Sequence, residues 1–164
     1  MKTLIAILFI AVLLAPVTVF AMNVGDSAPG FSLKDVYGNI VTLNSYKGRV
    51  VFLAFWATWC PSCKEELTEL NTLQLKYASN GFMVLSICIE SSDSNVANYL
   101  KKHPVTFPVL VDTDGVVADT FRFSGLPASF IVGTDGLIRH KYSGYNKESV
   151  TLFEREIFDL LNKR

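Results

Sequence analysis

Residues 52–67 decide the fold of this chain, and they read Phe-Leu-Ala-Phe-Trp-Ala-Thr-Trp-Cys-Pro-Ser-Cys-Lys-Glu-Glu-Leu. The apolar first half does not alternate with polar residues, which predicts a strand buried on both faces. The second half begins a segment of helical period, whose apolar stripe consists of Leu67, Leu70, Leu73 and Tyr77. Cys60 and Cys63 therefore lie at a junction between a strand and a helix.

A cysteine at such a junction gains nucleophilic character from the helix. The first turn of a helix presents unpaired N–H groups and a partial positive charge, both of which stabilise a thiolate. We expect this environment to lower the pKa of Cys60 below the usual thiol range. Cys63 follows one turn later on the same helical face, close enough to form a disulfide with Cys60. Such a pair can attack a substrate disulfide, form a mixed disulfide and resolve it internally.

The same two cysteines could instead supply half of a structural zinc site, which needs four ligands. The sequence has only one further cysteine, Cys88, and two isolated histidines, His103 and His140. We therefore predict redox chemistry and no metal. Cys88 lies in a second apolar segment and is interpreted as an inert buried thiol. Neither histidine is expected to activate a cysteine, because neither lies near the pair.

Length and composition indicate a single domain, and the N-terminal segment indicates export. The 164 residues are 50% apolar, enough for one core, and the net charge of zero does not favour nucleic acid binding. Lys2, an apolar run at 4–14 and Val-Phe-Ala at 19–21 predict a signal peptide over 1–21, although a membrane anchor is the alternative. Residues 22–164 would then form one domain outside the cytoplasm.

Strand and helix patterns alternate along that domain. Alternating segments at 31–33 and 40–43 predict a β-hairpin around Gly38. Further strands are predicted at 50–55, 82–89, 109–111, 128–132 and 137–143. Helices are predicted at 60–78, from caps at 92–94 to before Pro104, at 116–121 and at 147–161. This order predicts an α/β fold, a central sheet with helices on both faces.

The segment Trp-Ala-Thr-Trp-Cys-Pro-Ser-Cys-Lys at 56–64 resembles the active-site stretch of thioredoxin-fold proteins. With Glu66 three residues past the second cysteine, it is similar to the branch that includes the TlpA, ResA and cytochrome c maturation thioredoxins. The resemblance runs from about Gly25 to the C-terminus. It implies a thioredoxin fold extended by an N-terminal β-hairpin.

The resemblance also implies an activity and partners. It implies an extracytoplasmic thiol–disulfide oxidoreductase that reduces disulfides in other proteins and needs no dissociable cofactor. Apocytochrome c is one candidate substrate, and a membrane-embedded thiol reductase is the implied electron donor. We expect a monomer.

The resemblance assigns proton handling to Glu66. Thioredoxins keep a buried aspartate six residues before the first cysteine, but Ala54 occupies that position here. Glu66, on the same helical face as Cys63, would take the proton of that thiol instead. The alternative is an ordinary solvated glutamate. A second acidic residue of the ResA-like pattern falls in the neighbourhood of Glu90 or Ser91, where the register is not fixed and no role is assigned.

Three further residues are expected to hold the substrate. Gly-Leu-Pro-Ala at 125–128 resembles the loop in which a cis-proline, here Pro127, faces the cysteines. The backbone of Leu126 would then pair with an extended substrate segment. Trp59 is expected to cover the cysteines and form part of the docking surface.

Three other functions remain open. An oxidase or isomerase would use the same pair, and Pro-Ser between the cysteines matches neither the Gly-Pro of thioredoxin nor the Pro-His of a strong oxidant. A thiol peroxidase shares the fold, but its Pro-x-x-x-Thr-x-x-Cys pattern is not met, because Thr58 is two residues before Cys60. A non-redox binding module or chaperone would use the proline loop alone.

Overall fold

The structure is a computed structural model that describes residues 22–90 and 93–163. Its strands are β1 (Ser32–Asp35), β2 (Ile40–Thr42), β3 (Val50–Trp56), β4 (Phe82–Cys88), β5 (Val109–Val111), β6 (Ala128–Val132) and β7 (Ile138–Ser143). Its α-helices are α1 (Pro61–Tyr77), α2 (Asp93–Lys102), α3 (Val116–Phe121) and α4 (Lys147–Asn162). The predicted leader at 1–21 lies outside the described residues.

The strands form one sheet in the order β2-β1-β5-β4-β3-β6-β7. β3 lies parallel to β4 and antiparallel to β6, and all seven of its residues are buried. The lack of alternation in its sequence follows from this position, because both faces of β3 are covered. The predicted hairpin is formed by β1 and β2, and β1 also pairs antiparallel with β5.

Alternate residues of β3 enter two separate cores. Phe52, Ala54 and Trp56 face a cluster that also contains Leu67 and Leu70 of α1 and Phe153 and Ile157 of α4. Leu53 and Phe55 face the opposite cluster, which contains Val117 and Phe121 of α3. The predicted α/β architecture with helices on both faces of the sheet is therefore confirmed.

The ends of α1 follow its sequence. Cys60 is the residue before the first turn, and Pro61 opens the helix, where its missing N–H leaves no bond unmade. After Tyr77 the chain tightens into a 3₁₀ turn (Ala78–Asn80), and Gly81 adopts φ of 90°. Within the described ranges, no helix has both the length and the apolar character required to cross a membrane.

Candidate active site

The two cysteines of the junction are joined as a disulfide. The Cys60 and Cys63 sulfurs are 2.05 Å apart, and their Cα atoms are 5.3 Å apart. The Cys60 sulfur also accepts a hydrogen bond from the Cys63 backbone N–H at 3.3 Å. That N–H is one of the unpaired donors of the first helical turn, so it can stabilise negative charge on Cys60 once the disulfide opens.

The two sulfurs differ in accessibility. Cys60 is 5% exposed and Cys63 is fully buried, whereas the neighbouring Trp59 is 69% exposed. The Ser62 hydroxyl lies 3.7 Å from the Cys60 sulfur and adds a second polar contact there. Cys60 therefore keeps a small area exposed to solvent, whereas Cys63 keeps none.

Glu66 is buried completely one turn after Cys63. Its Oε1 accepts a hydrogen bond from the Ser129 hydroxyl at 2.7 Å, while Oε2 is buried without a hydrogen-bond partner among the described residues. Burial raises the pKa of Glu66 to about 7, against the opposing effect of the Ser129 bond. A carboxyl of this kind can gain and lose a proton near neutral pH, unlike the solvated glutamate considered as the alternative. The adjacent Glu65 is exposed.

The strand position that carries aspartate in thioredoxins provides only a methyl group here. Ala54 is buried, with Ser86 of β4 and Ser129 of β6 as its direct partners on either side. Ser129 was not among the predicted site residues. Its signals in the sequence are its place two residues after Pro127 and its polarity inside an apolar strand.

The proline loop lies at the same end of the sheet as the cysteines. The Leu126–Pro127 peptide bond is cis, as predicted. Ala128 pairs with Phe55, so the loop before β6 meets the end of β3 that leads into Cys60. Pro127 is buried and Leu126 is half-buried. The loop is therefore placed to contact a chain bound at Cys60.

A second carboxylate supports the loop between β3 and the cysteines. Glu90 Oε1 accepts hydrogen bonds from the Thr58 hydroxyl at 2.6 Å and from the Thr58 N–H at 3.1 Å. The sequence indicated only the neighbourhood of this residue. Because the Thr58 hydroxyl points to Glu90, it is engaged away from Cys60, and the peroxidase interpretation gains no support from it.

The remaining candidate residues take no part in this arrangement. Cys88 is buried in β4, and burial raises its pKa to about 12, which agrees with the predicted inert thiol. His140 Nδ1 lies 3.0 Å from Glu156 Oε2, and the His103 ring stacks on Tyr99. Across 22–90 and 93–163, no group of three or more His, Cys, Asp or Glu side chains is arranged to hold a metal ion.

Known proteins share this architecture. The model of the AhpC/TSA family matches residues 24–141. The thiol-disulfide oxidoreductase ResA of Bacillus thuringiensis is 33% identical over 137 residues, which cover 83% of this chain and 79% of ResA. A Chlorobium tepidum structure assigned as the thiol:disulfide interchange protein DsbE is 29% identical, with a TM-score of 0.84 over 87% of this chain and 100% of its own. Another from the same organism, a thioredoxin family thiol:disulfide interchange protein, is 28% identical, with a TM-score of 0.74 over 87% and 100%.

The residues matched by the family, 24–141, include the junction that carries the cysteines. The likeness to these proteins confirms the thioredoxin fold and the similarity to ResA that the motif predicted. The names of these relatives also agree with the presence of the Cys60–Cys63 disulfide. The chain belongs to the AhpC/TSA family, and within the thioredoxin fold it is a thiol-disulfide oxidoreductase.

Proposed function

We propose that this protein reduces disulfides of other proteins outside the cytoplasm, with Cys60 as the attacking thiolate and Cys63 as the resolving thiol. The observation that carries the proposal is the asymmetry of the pair. Cys60, just before the start of α1, keeps a small exposed area of 5%, whereas Cys63 is fully buried one turn before the buried carboxyl of Glu66.

The reaction begins from the reduced pair. The Cys60 thiolate attacks one sulfur of the substrate disulfide, a Cys60–substrate disulfide forms, and the other substrate sulfur leaves as a thiolate that takes a proton from solvent. Glu66 then accepts the proton of Cys63. The Cys63 thiolate attacks Cys60, the mixed disulfide breaks, and the second substrate thiolate leaves and takes a proton from solvent, while Glu66 releases the proton of Cys63 to solvent. The substrate gains two electrons and two protons, and the enzyme ends with the Cys60–Cys63 disulfide.

The surface around Cys60 would hold the substrate in an extended form. Trp59 offers a large exposed aromatic side chain for docking. Leu126, ahead of Pro127, offers backbone groups for pairing with the substrate chain. The assignment of these three residues to substrate binding is supported by two observations: Trp59 directly precedes Cys60, and the loop with Leu126 and Pro127 leads into β6 beside the end of β3.

The cellular setting of the proposal follows from the leader and the motif. Residues 1–21 would serve as a signal peptide or anchor, and 22–164 as a monomeric domain outside the cytoplasm. A membrane-embedded thiol reductase would regenerate the reduced pair, without a dissociable cofactor. Apocytochrome c is a candidate substrate on the basis of the motif, alongside other proteins that carry disulfides.

Trapping with the Cys63→Ser variant tests the assignment of the two cysteines. Without the resolving thiol, the mixed disulfide on Cys60 should persist, so disulfide-linked adducts should accumulate and disappear on treatment with a reductant. The matched Cys60→Ser variant should form none. Equal adducts on both variants would contradict the order of attack. Undiminished complementing activity of Cys60→Ser in cells would favour the non-redox binding module.

The direction of exchange is tested by equilibration with glutathione. A reductase should have a potential near the thioredoxin end of the range, about −270 mV, whereas a strong oxidant lies near about −120 mV. A value at the oxidant end would replace reduction by the oxidase alternative. Rapid peroxide consumption by the reduced protein would revive the peroxidase.

A further inference from the structure

We propose that Ser129 is a positioning residue for proton transfer, its hydroxyl fixing the Glu66 carboxyl so that the free oxygen of that group serves Cys63. The inference rests on the proposed role of Glu66 in deprotonating Cys63. Ser129 lies in β6, two residues after Pro127, and is 1% exposed. It belongs neither to the cysteine pair nor to the proposed substrate surface.

The contact joins two elements across the core. Ser129 Oγ donates to Glu66 Oε1 at 2.7 Å, which links β6 to α1 over 63 residues of sequence. Oε2 of the same carboxyl is buried and has no hydrogen-bond partner within the described part of the chain. A buried carboxyl oxygen without a partner is costly, so its retention needs a reason. The resolving thiol one turn earlier on the same helical face supplies one.

A serine can hold this carboxyl in both of its protonation states. Its hydroxyl donates to Oε1 whether Glu66 is a carboxylate or a carboxylic acid, because a protonated carboxyl keeps acceptor capacity on one oxygen. While Ser129 donates to Oε1, the proton of the neutral acid resides on Oε2. Ser129 in this way determines which oxygen accepts and releases the proton, and it does so without adding a second charge to the core.

The strand register explains why the hydroxyl comes from β6. Ser129 pairs directly with Ala54, so both side chains lie on the face of the sheet that α1 covers. The methyl group of Ala54 leaves room above β3 but offers no hydrogen bond. The Glu66 carboxyl therefore extends from α1 toward the sheet, and Ser129 of the adjacent strand β6 supplies its hydrogen-bond donor.

The hydrogen bond from Ser129 affects the pKa of Glu66 separately from the charged groups around it. On α1 the neighbouring titratable groups are Cys63 and the more exposed Glu65 and Glu69. Tyr145 lies in the loop between β7 and α4. Its pKa is raised mainly by burial, and further by the negative charges of the glutamates at 65, 66 and 69. Burial raises the pKa of Glu66, and the Ser129 hydrogen bond lowers it. Loss of the hydroxyl should therefore move the titration of Glu66 upward.

The first experiment measures this titration directly in the oxidised protein, where neither Cys60 nor Cys63 titrates. Carbon-13 NMR of labelled glutamate side chains should give a Glu66 midpoint near 7, with Glu66→Gln identifying the signal. Ser129→Ala should raise the midpoint by about one pH unit, as expected for a lost hydrogen bond to a charged group. Ser129→Thr, which keeps the hydroxyl, should restore it.

Ser86→Ala is the matched control. Ser86 is also a buried serine beside Ala54, but its hydroxyl lies 3.4 Å from the Pro108 carbonyl oxygen, to which it donates. Its removal should leave the Glu66 midpoint unchanged. A shift of equal size in both alanine variants would assign the effect to general loosening of the core and would overturn the inference.

The second experiment follows insulin reduction against pH. Ser129→Ala should shift the pH profile in the same direction as the Glu66 midpoint and slow the reaction several-fold near neutral pH. If the midpoint does not move while Glu66→Gln still slows exchange, the inference about Ser129 is wrong and the role of Glu66 stands. If the midpoint moves but neither variant alters exchange, the proposed role of Glu66 fails, and the inference fails with it.

Discussion

At the scale of single residues, the site depends on a carboxyl supplied from an unusual direction. Ala54 removes the acidic group from the strand, and Glu66 introduces one from the helix above it. Burial keeps this carboxyl poised near neutral pH, where a proton acceptor for a thiol is useful. In the proposed mechanism, the proton acceptor for Cys63 is therefore carried by helix α1 and not by strand β3.

The raised pKa of Glu66 makes the free energy of unfolding depend on pH, and this dependence can be measured. The pKa rises from an ordinary value of 4.5 to about 7 on folding, so the folded protein binds more protons than the unfolded chain in that interval. Stability from Glu66 is therefore fully present below about pH 4.5 and is lost as pH rises through 7, by roughly 3 kcal/mol in total. Urea unfolding of oxidised wild type and Glu66→Gln at several pH values should show this loss in wild type alone.

Comparison of the two proteins at each pH isolates Glu66. Glu156, whose pKa burial raises to about 6, contributes a change of the same sign to both proteins and cancels in the difference. Glu66→Gln should also slow insulin reduction by about 100-fold near neutral pH, the lower end of general base effects. Equal pH dependence of stability in both proteins would show that Glu66 keeps an ordinary pKa.

At the scale of elements, short helices depend on side chains outside them. α3 has six residues, and its N-terminal N–H groups are met by Asp112, which is fully buried. Its two carboxylate oxygens accept from the N–H groups of Val117, at 3.2 Å, and Ala118, at 2.7 Å. A helix too short to be stable alone is thereby fixed against the sheet.

Replacement of Asp112 should destabilise the fold without altering exchange. Asp112→Ala leaves two N–H groups without their acceptor and removes a charge at the helix start, so the free energy of unfolding should fall by about 2–4 kcal/mol. Asp114→Ala is the matched control, since the exposed Asp114 accepts one bond, from the Val116 N–H at 3.3 Å, and should cost under about 1 kcal/mol. Urea unfolding gives both values. A smaller loss in the Asp112 variant than in the control would contradict this account.

At the scale of the whole molecule, the elements were predictable from sequence but several of their partners were not. The uninterrupted apolar run at 52–56 and the stripe on α1 identify their elements, because burial leaves a local periodic signal. The pairing of β1 with β5 leaves no such signal, since it depends on how distant segments pack. The Cys60–Cys63 pair could be predicted from its spacing and the burial of Glu66 could not, while the contact from Ser129 to Glu66 required the sheet register.

The free energy of unfolding of the whole protein should differ between its oxidised and reduced forms. This difference allows the direction of exchange to be tested without a substrate. The disulfide closes a loop of four residues and constrains the unfolded chain by about 2 kcal/mol. A thiolate at the start of α1 stabilises the reduced fold instead, by up to about 2 kcal/mol. In a reductase the first effect is the larger, so the oxidised protein should have the higher free energy of unfolding. Urea unfolding of both forms at pH 7, with Cys60→Ser as the variant that has neither effect, measures the difference. A more stable reduced form is the property of a strong oxidant, and it would reverse the assigned direction of exchange.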